Sequence, residues 1–361
     1  MAGNFTHGGN VFAVARGLGV APEDLLDFSA SINPLGLSPL VRNAVLAALD
    51  RVVHYPDDSA VELRESLAAF HRVSPEQVVV GNGSTELIYL LPRVAGGGRA
   101  LIVGPAFAEY AAALAREKWE VGYHLLKGEE GFALSAGALE ERLAEGWDLL
   151  FLCNPGNPTG KLLSRAEVVE VLRLCRDAGT LLVLDEAFID FCEKDSVAGL
   201  VAEEGGGITL RSLTKFFAIP GLRLGYALGE AKLVSRIASH REPWSVNSLA
   251  QAAGLAALGD GEYRSNTLAL VAEQRAALEQ GLAHVPGLNP FHSAANFILV
   301  EITGGTSAAE LRDRLLASRI LIRDCGNFKG LNGRFFRIAV RTAEENSRLL
   351  AALRETLPPP A

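Results

Sequence analysis

From about residue 75 the chain alternates two kinds of segment. Short, uninterrupted apolar runs at 77–81, 99–104, 148–153, 180–185, 207–211 and 223–229 predict strands. Between them, 86–93, 106–117 and 164–178 carry apolar residues at helical spacing. Strands that are apolar on both faces, interleaved with amphipathic helices, predict an α/β fold with a mostly parallel sheet between helical layers. Ligands of such sheets gather at the carboxyl ends of the strands. The pattern changes after about residue 245. Two long helical stretches, 246–258 and 261–282, lead into a β-rich tail at 297–302, 320–323 and 335–340, closed by a helix at 343–356. The first 35 residues, with HGGN, a short helix and SINPLG, stand outside the alternation. The division expected is therefore an arm at 1–35 packing near the tail, a large domain at 36–245 and a small α+β domain at 246–361. Gly triplets at 96–98 and 205–207 are loops, and the terminal PPPA is a frayed end.

Composition narrows the function classes. The chain has 361 residues, 49% of them hydrophobic, enough for a sizeable core. Lys and Arg number 34 against 42 Asp and Glu, a net charge of −8, which disfavours nucleic-acid binding through phosphate neutralisation. Four scattered cysteines without a CxxC pair read as reduced, and no metal-ligand spacing occurs. There is no basic segment followed by an apolar stretch at the N-terminus and no membrane-spanning run, so a soluble cytoplasmic protein is expected.

Only seven of the 34 basic residues are lysines, and Lys215 alone lies in an apolar setting, directly before two phenylalanines. Burial lowers an amine's pKa and makes it a nucleophile, although a lysine there can also snorkel past its neighbours. Asp185 ends the apolar run LLVLD, where a carboxylate either caps a helix or points at a ligand. In the second role it can pair with a protonated ring nitrogen, as an electron-sink cofactor requires. The loop NPGNPTGK after Cys153 fails as a phosphate loop, with Pro155 and Leu162 at positions that need Gly and Ser/Thr. Two prolines stiffen it, which suits aiming Asn157 or a plain Asn-Pro turn. GNGSTE at 81–86 follows a strand and opens a helix, offering backbone N–H groups to an anion or simply an N-cap. Ser212 and Arg223 flank Lys215 at −3 and +8.

Taken in order, the NPTG loop, DEAF, SxxK and the RxG that follows closely resemble the fold-type I pyridoxal-phosphate enzymes of the aminotransferase class I/II family, over nearly the whole chain. The resemblance implies pyridoxal 5′-phosphate as cofactor, carried by Lys215, with Asp185 as its pyridinium partner. It implies that Asn157 bonds the ring hydroxyl, that Phe107 stacks on the ring, and that Gly83, Ser84, Thr85, Ser212 and Arg223 hold the phosphate. Tyr55, in HYPD, matches a tyrosine reaching the phosphate from the neighbouring subunit, which implies a homodimer with shared sites. Arg337, in FFRIAV, matches the clamp for the substrate carboxylate.

Within the family the chain is similar to histidinol-phosphate aminotransferases and to the L-threonine-O-3-phosphate decarboxylases of cobalamin biosynthesis. THGGN (6–10), DFSASINPLG (27–36), DEAFIDF (185–191), RSLTKFFAIPGLRLGY (211–226), PWSVN (243–247) and ILIR (320–323) favour the decarboxylases. So does Phe188, where the aminotransferases usually carry a tyrosine. Ser31 departs from the decarboxylase pattern, which more often has Asn there. The resemblance implies a small phosphorylated amino acid as substrate, bound by His7, Gly8, Ser31, Asn157, Arg323 and Arg337. Arg341, in the same stretch, reads as a salt-bridge former. A cofactor-binding scaffold without turnover is the reading from another class, and the intact Lys215, Asp185 and Arg337 set counts against it.

Overall fold

The computed structural model describes residues 7–357. Thr6 of the THGGN segment and the terminal PPPA lie outside them. The arm holds a helix, Val11–Leu18, and strand β1 (Leu26–Asp27). The central sheet is built from β2 (Val78–Asn82), β3 (Arg99–Gly104), β4 (Glu120–Leu125), β5 (Leu149–Cys153), β6 (Leu181–Asp185), β7 (Gly207–Ser212) and β8 (Leu224–Gly229). Its order is β2-β8-β7-β6-β5-β3-β4, with β8 antiparallel to both neighbours and the other pairs parallel. Because β8 runs backward, its amino end lies at the edge where β2, β3, β5, β6 and β7 have their carboxyl ends. All the candidate motifs of the alternating region therefore converge on one edge.

Alternation along the strands explains their unbroken apolar character. Phe151, Val183 and Leu210 face one helical layer with Leu87, Leu91 and Tyr110, while Leu150, Leu182 and Leu184 face the other with Val168, Leu172 and Val201. Strand β4 carries no such run: as an edge strand it is half-buried along most of its length, and its EVGYHL pattern is correspondingly weak. The helix Arg165–Asp177 begins at a capping box, Ser164 with Glu167, as its sequence predicts.

The second sheet comprises β9 (Leu288–Pro290), β10 (Phe297–Ile302), β12 (Arg323–Asp324) and β13 (Phe335–Ala339), in the order β12-β13-β10-β9. Strand β11 (Ile320–Leu321) leaves this sheet to pair in parallel with β1, so ILIR is divided between two sheets and the arm is tied to the tail. The helix Ser248–Gly259, expected to lead into the tail, packs instead in one core with Val41, Leu63 and Leu224. Its small face permits this, since a Cβ on Gly254 would lie 2.6 Å from Leu224.

Candidate active site

Lys215 sits in a single helical turn, Leu213–Phe216, directly after β7. Its Nζ donates to Thr214 Oγ1 at 2.9 Å, and that hydroxyl is 2.8 Å from Ser212 Oγ. Burial, reinforced by Arg223 and Arg337 and opposed by Asp185, pushes the amine down to about 8. A lowered pKa is what a nucleophilic amine requires.

Asp185 is buried at the end of β6. Its carboxylate accepts from Tyr110 Oη at 2.5 Å and from the Ala187 N–H at 2.9 Å. Burial raises its pKa, while Tyr110, Ala187 and Lys215 hold it down. Tyr110 escaped the sequence reading. The signal was present in GPAFAEY: Tyr110 follows Phe107, the N-cap of the helix Ala108–Arg116, by three residues and so returns to the same side. The two rings meet edge to face at 5.9 Å.

Asn157 projects from a loop whose base is fixed by Asn154, which bonds both the N–H and the carbonyl of Leu163. Its Oδ1 accepts from Arg337 Nη1, so two residues distant in sequence meet. Arg337 also donates to the Ser29 carbonyl at 3.1 Å and lies over the Phe297 ring at 5.0 Å. Phe297 in turn packs edge to face on Phe188 at 4.9 Å. Burial lowers the Arg337 pKa to about 10.

The residues expected to hold a phosphate come from three segments, one of them Ser212 at the end of β7. Gly83, Ser84 and Thr85 open the helix Gly83–Ala95, and Arg223 lies against Gly83. A Cβ on Gly83 would come 2.5 Å from the Arg223 guanidinium, and one on Gly225 would come 2.3 Å from the Ser84 nitrogen. Gly83 and Arg223 both have left-handed φ, +74° and +58°. Backbone donors, a helix N-terminus and a guanidinium in contact form a site for an oxyanion.

Arg323 and Arg337 are direct partners across β12 and β13. Arg323 donates to Asn327 Oδ1 at 2.7 Å. Ser31 is buried, and its hydroxyl has no partner among the described residues, as is true of Arg337 Nε. His7 pairs with Glu109 at 2.8 Å, and its ring lies 5.7 Å from that of Phe107. A cavity of about 20 Å³ lined by His7, Gly8, Ser29, Arg312 and Arg323 joins the arm to β12. Gly8 has no room for a side chain, since its Cβ would fall 2.1 Å from the Ser29 carbonyl oxygen. Arg341 does form an ion pair, to Glu345 at 2.6 Å. Tyr55 stands apart from these groups, 79% exposed and stacked on Trp244 at 4.5 Å.

The pattern of the family described as aminotransferase class I and II matches residues 23–353. The chain is 41% identical to the threonine-phosphate decarboxylase of Salmonella typhimurium, over 98% of this chain and 97% of that one. Among solved structures, the L-threonine-O-3-phosphate decarboxylase of Porphyromonas gingivalis superposes with a TM-score of 0.80 at 29% identity, covering 91% of this chain and 98% of that one. The histidinol-phosphate aminotransferase of Clostridium acetobutylicum superposes with a TM-score of 0.85 at 28% identity, with the same coverage of 91% and 98%.

Proposed function

Since the chain belongs to the aminotransferase class I and II family, we propose that it is a pyridoxal-phosphate-dependent carboxy-lyase that converts L-threonine O-3-phosphate to (R)-1-amino-2-propanol O-2-phosphate. It acts in the cytoplasm, in the cobalamin-biosynthetic setting that the sequence resemblance implies. The observation that carries this reading is the meeting of Arg323 and Arg337 on paired strands. A substrate with both a carboxylate and a phosphate needs such a pair of guanidinium forks.

The residues fit the cofactor. The Arg223 guanidinium against Gly83 sets a cation beside the backbone N–H groups that open the helix, as a phosphate requires, and Lys215 and Asp185 interact electrostatically at the ends of neighbouring strands. When bound, pyridoxal 5′-phosphate supplies an electron sink for the pair released at the substrate's α-carbon. Lys215 holds the cofactor, and Gly83, Ser84, Thr85, Ser212 and Arg223 hold its phosphate. Asp185, itself oriented by Tyr110, keeps a proton on the ring nitrogen. Phe107 covers one side of the ring, and Asn157 bonds its hydroxyl.

Arg337, braced by Asn157 and the Ser29 carbonyl, is unable to swing freely, so the anion that it grips is fixed in direction. With Arg323 and His7 holding the other anion, these residues would fix the direction of the substrate's carboxylate, and that positioning would favour carbon dioxide loss over proton loss. Nζ of Lys215 returns a proton to the α-carbon once carbon dioxide has left. Phe188 offers no hydroxyl to the ring, unlike the tyrosine usual in the aminotransferases.

The enzyme works as a homodimer in which Tyr55 serves the partner's phosphate. Support comes from the exposed apolar run Leu49, Val52, Val53 and Tyr55 beside exposed Trp244. We divide the chain into an arm (1–35), a large domain that runs past the expected boundary at 245 to take in the helix Ser248–Gly259, and a small domain after it, supported by the pairing of β1 with β11 and by that helix's packing with Val41, Leu63 and Leu224.

Incubation of the purified protein with phosphothreonine, without 2-oxoglutarate, should release carbon dioxide. If histidinol phosphate with 2-oxoglutarate instead yields glutamate and phosphothreonine yields no gas, the chain is a histidinol-phosphate aminotransferase.

A further inference from the structure

Behind the site, on the opposite face of the central sheet, lies a buried charge cluster that the reaction does not touch. Arg211 has no exposed side-chain surface. Its guanidinium lies 3.3 Å from Glu186, 3.4 Å from Asp190 and 2.5 Å from Glu193, and it donates to Ser196 Oγ at 3.3 Å. Glu186 is also fully buried and accepts from Ser196 Oγ at 2.6 Å and the Val197 N–H at 3.1 Å. A second cation, Arg264, reaches Asp190 at 3.6 Å and lies over Phe70, Phe216 and Phe217 at 5.1–5.4 Å.

The placement of this cluster in the sequence is what matters. Glu186 directly follows Asp185, and Arg211 directly precedes Ser212. Side chains alternate along a strand, so the site residue and the cluster residue at each strand end are the two faces of one piece of backbone. Strands β6 and β7 are neighbours, and the Glu186 N–H bonds the Leu210 carbonyl at 2.8 Å. Arg264 extends the same cluster to Phe216, the residue after Lys215. Buried ion pairs add little stability over apolar packing of equal volume. A guanidinium fork between carboxylates does, however, impose direction and spacing that apolar packing does not.

We propose that Arg211, through its ion pair with Glu186, is a positioning residue that locks the ends of β6 and β7 and so fixes Asp185 relative to Ser212 and Lys215. The proposal rests on the cofactor reading given above.

The test compares wild-type enzyme with Arg211→Lys, Glu186→Gln and a control, Leu172→Ala, which opens a cavity on the same side of the sheet. Three quantities are measured: the thermal midpoint without cofactor, the dissociation constant for pyridoxal 5′-phosphate, and the pH midpoint of the bound cofactor's visible band. Both cluster variants should weaken cofactor binding by roughly fivefold or more and displace the pH midpoint. The control should lower the thermal midpoint and leave the other two quantities as in wild type. Cluster variants that lose thermal stability yet bind the cofactor with unchanged affinity and pH midpoint overturn the proposal. Should Arg211→Lys fail to fold, Glu186→Gln, which preserves side-chain volume, decides the matter alone. Wild-type protein that acquires no visible band overturns the cofactor reading and this proposal together, so the two failures are distinguishable.

Discussion

Replacing Tyr110 by phenylalanine removes one hydroxyl from a buried site and leaves the ring in place, stacked on Phe151 at 5.0 Å. The bond lost is the 2.5 Å donation to Asp185, whose only other hydrogen bond among the described residues is from the Ala187 N–H. Hydrogen bonds to charged groups are worth about 1.5–3 kcal/mol. Losing that bond should raise the Asp185 carboxyl further, in the direction in which burial already pushes it. A carboxyl that retains its own proton is a weaker partner for a protonated ring nitrogen. Cofactor affinity and kcat should each fall by about tenfold or more, with KM little changed because Tyr110 is not among the residues assigned to substrate. The sign of the stability effect follows as well. A carboxyl raised above its unfolded value stabilises the fold below the ordinary carboxylate range and loses that contribution as pH rises through the folded value. Cofactor-free Tyr110→Phe should therefore be less stable than wild type at neutral pH, and the gap should close on acidification. Steady-state kinetics, equilibrium dialysis of the cofactor and thermal melts across pH measure these quantities. Unchanged kcat and cofactor affinity at neutral pH would refute the role assigned to Tyr110.

Three further outcomes are expected. With Lys215 pushed down to about 8, cofactor capture by the cofactor-free protein should accelerate with pH and level off above that value. Arg223→Gln, which removes a charge that lowers it, should move the midpoint upward, and a wild-type midpoint near that of free lysine would contradict the buried-nucleophile reading. Arg323→Ala and Arg337→Ala each leave an anion unpaired, a loss of about 2–5 kcal/mol, so kcat/KM for phosphothreonine should fall at least tenfold in each. Mixing inactive Tyr55→Phe and Lys215→Ala subunits should restore partial activity through heterodimers with one unaltered site, and a fully active monomer would count against shared sites.

What the sequence made legible was whatever local chemistry enforces. Strands β3, β5 and β6 were readable because burial on both faces leaves no polar position to interrupt their interiors. Lys215 and Asp185 were readable because a charge ending an apolar run is anomalous on any reading. The residues that escaped are those defined by a distant partner. GPAFAEY puts Tyr110 on the side of Phe107, but nothing near it names the carboxylate 75 residues away. The same holds for the helix Ser248–Gly259, whose allegiance to the large sheet depends on the space that Leu63 and Leu224 leave beside Gly254.

This division bears on how the reaction is chosen. The residues proposed to hold the cofactor sit at strand ends, where the apolar pattern that builds the sheet also delivers them to one edge. Those assigned to the substrate come from elsewhere: His7 from the arm, Ser31 from the segment after β1, Arg323 and Arg337 from the second sheet. Their convergence depends on the β1–β11 pairing and on the bond from Arg337 to Asn157. On the proposed assignment, the central sheet fixes the cofactor chemistry, and the docking of the arm and the second sheet against it sets which bond breaks. A substitution that loosens the β1–β11 pairing should alter the partition between decarboxylation and aminotransfer more than it alters cofactor affinity, because the groups that aim the carboxylate would shift while Lys215, Asp185 and Arg223 stayed in place.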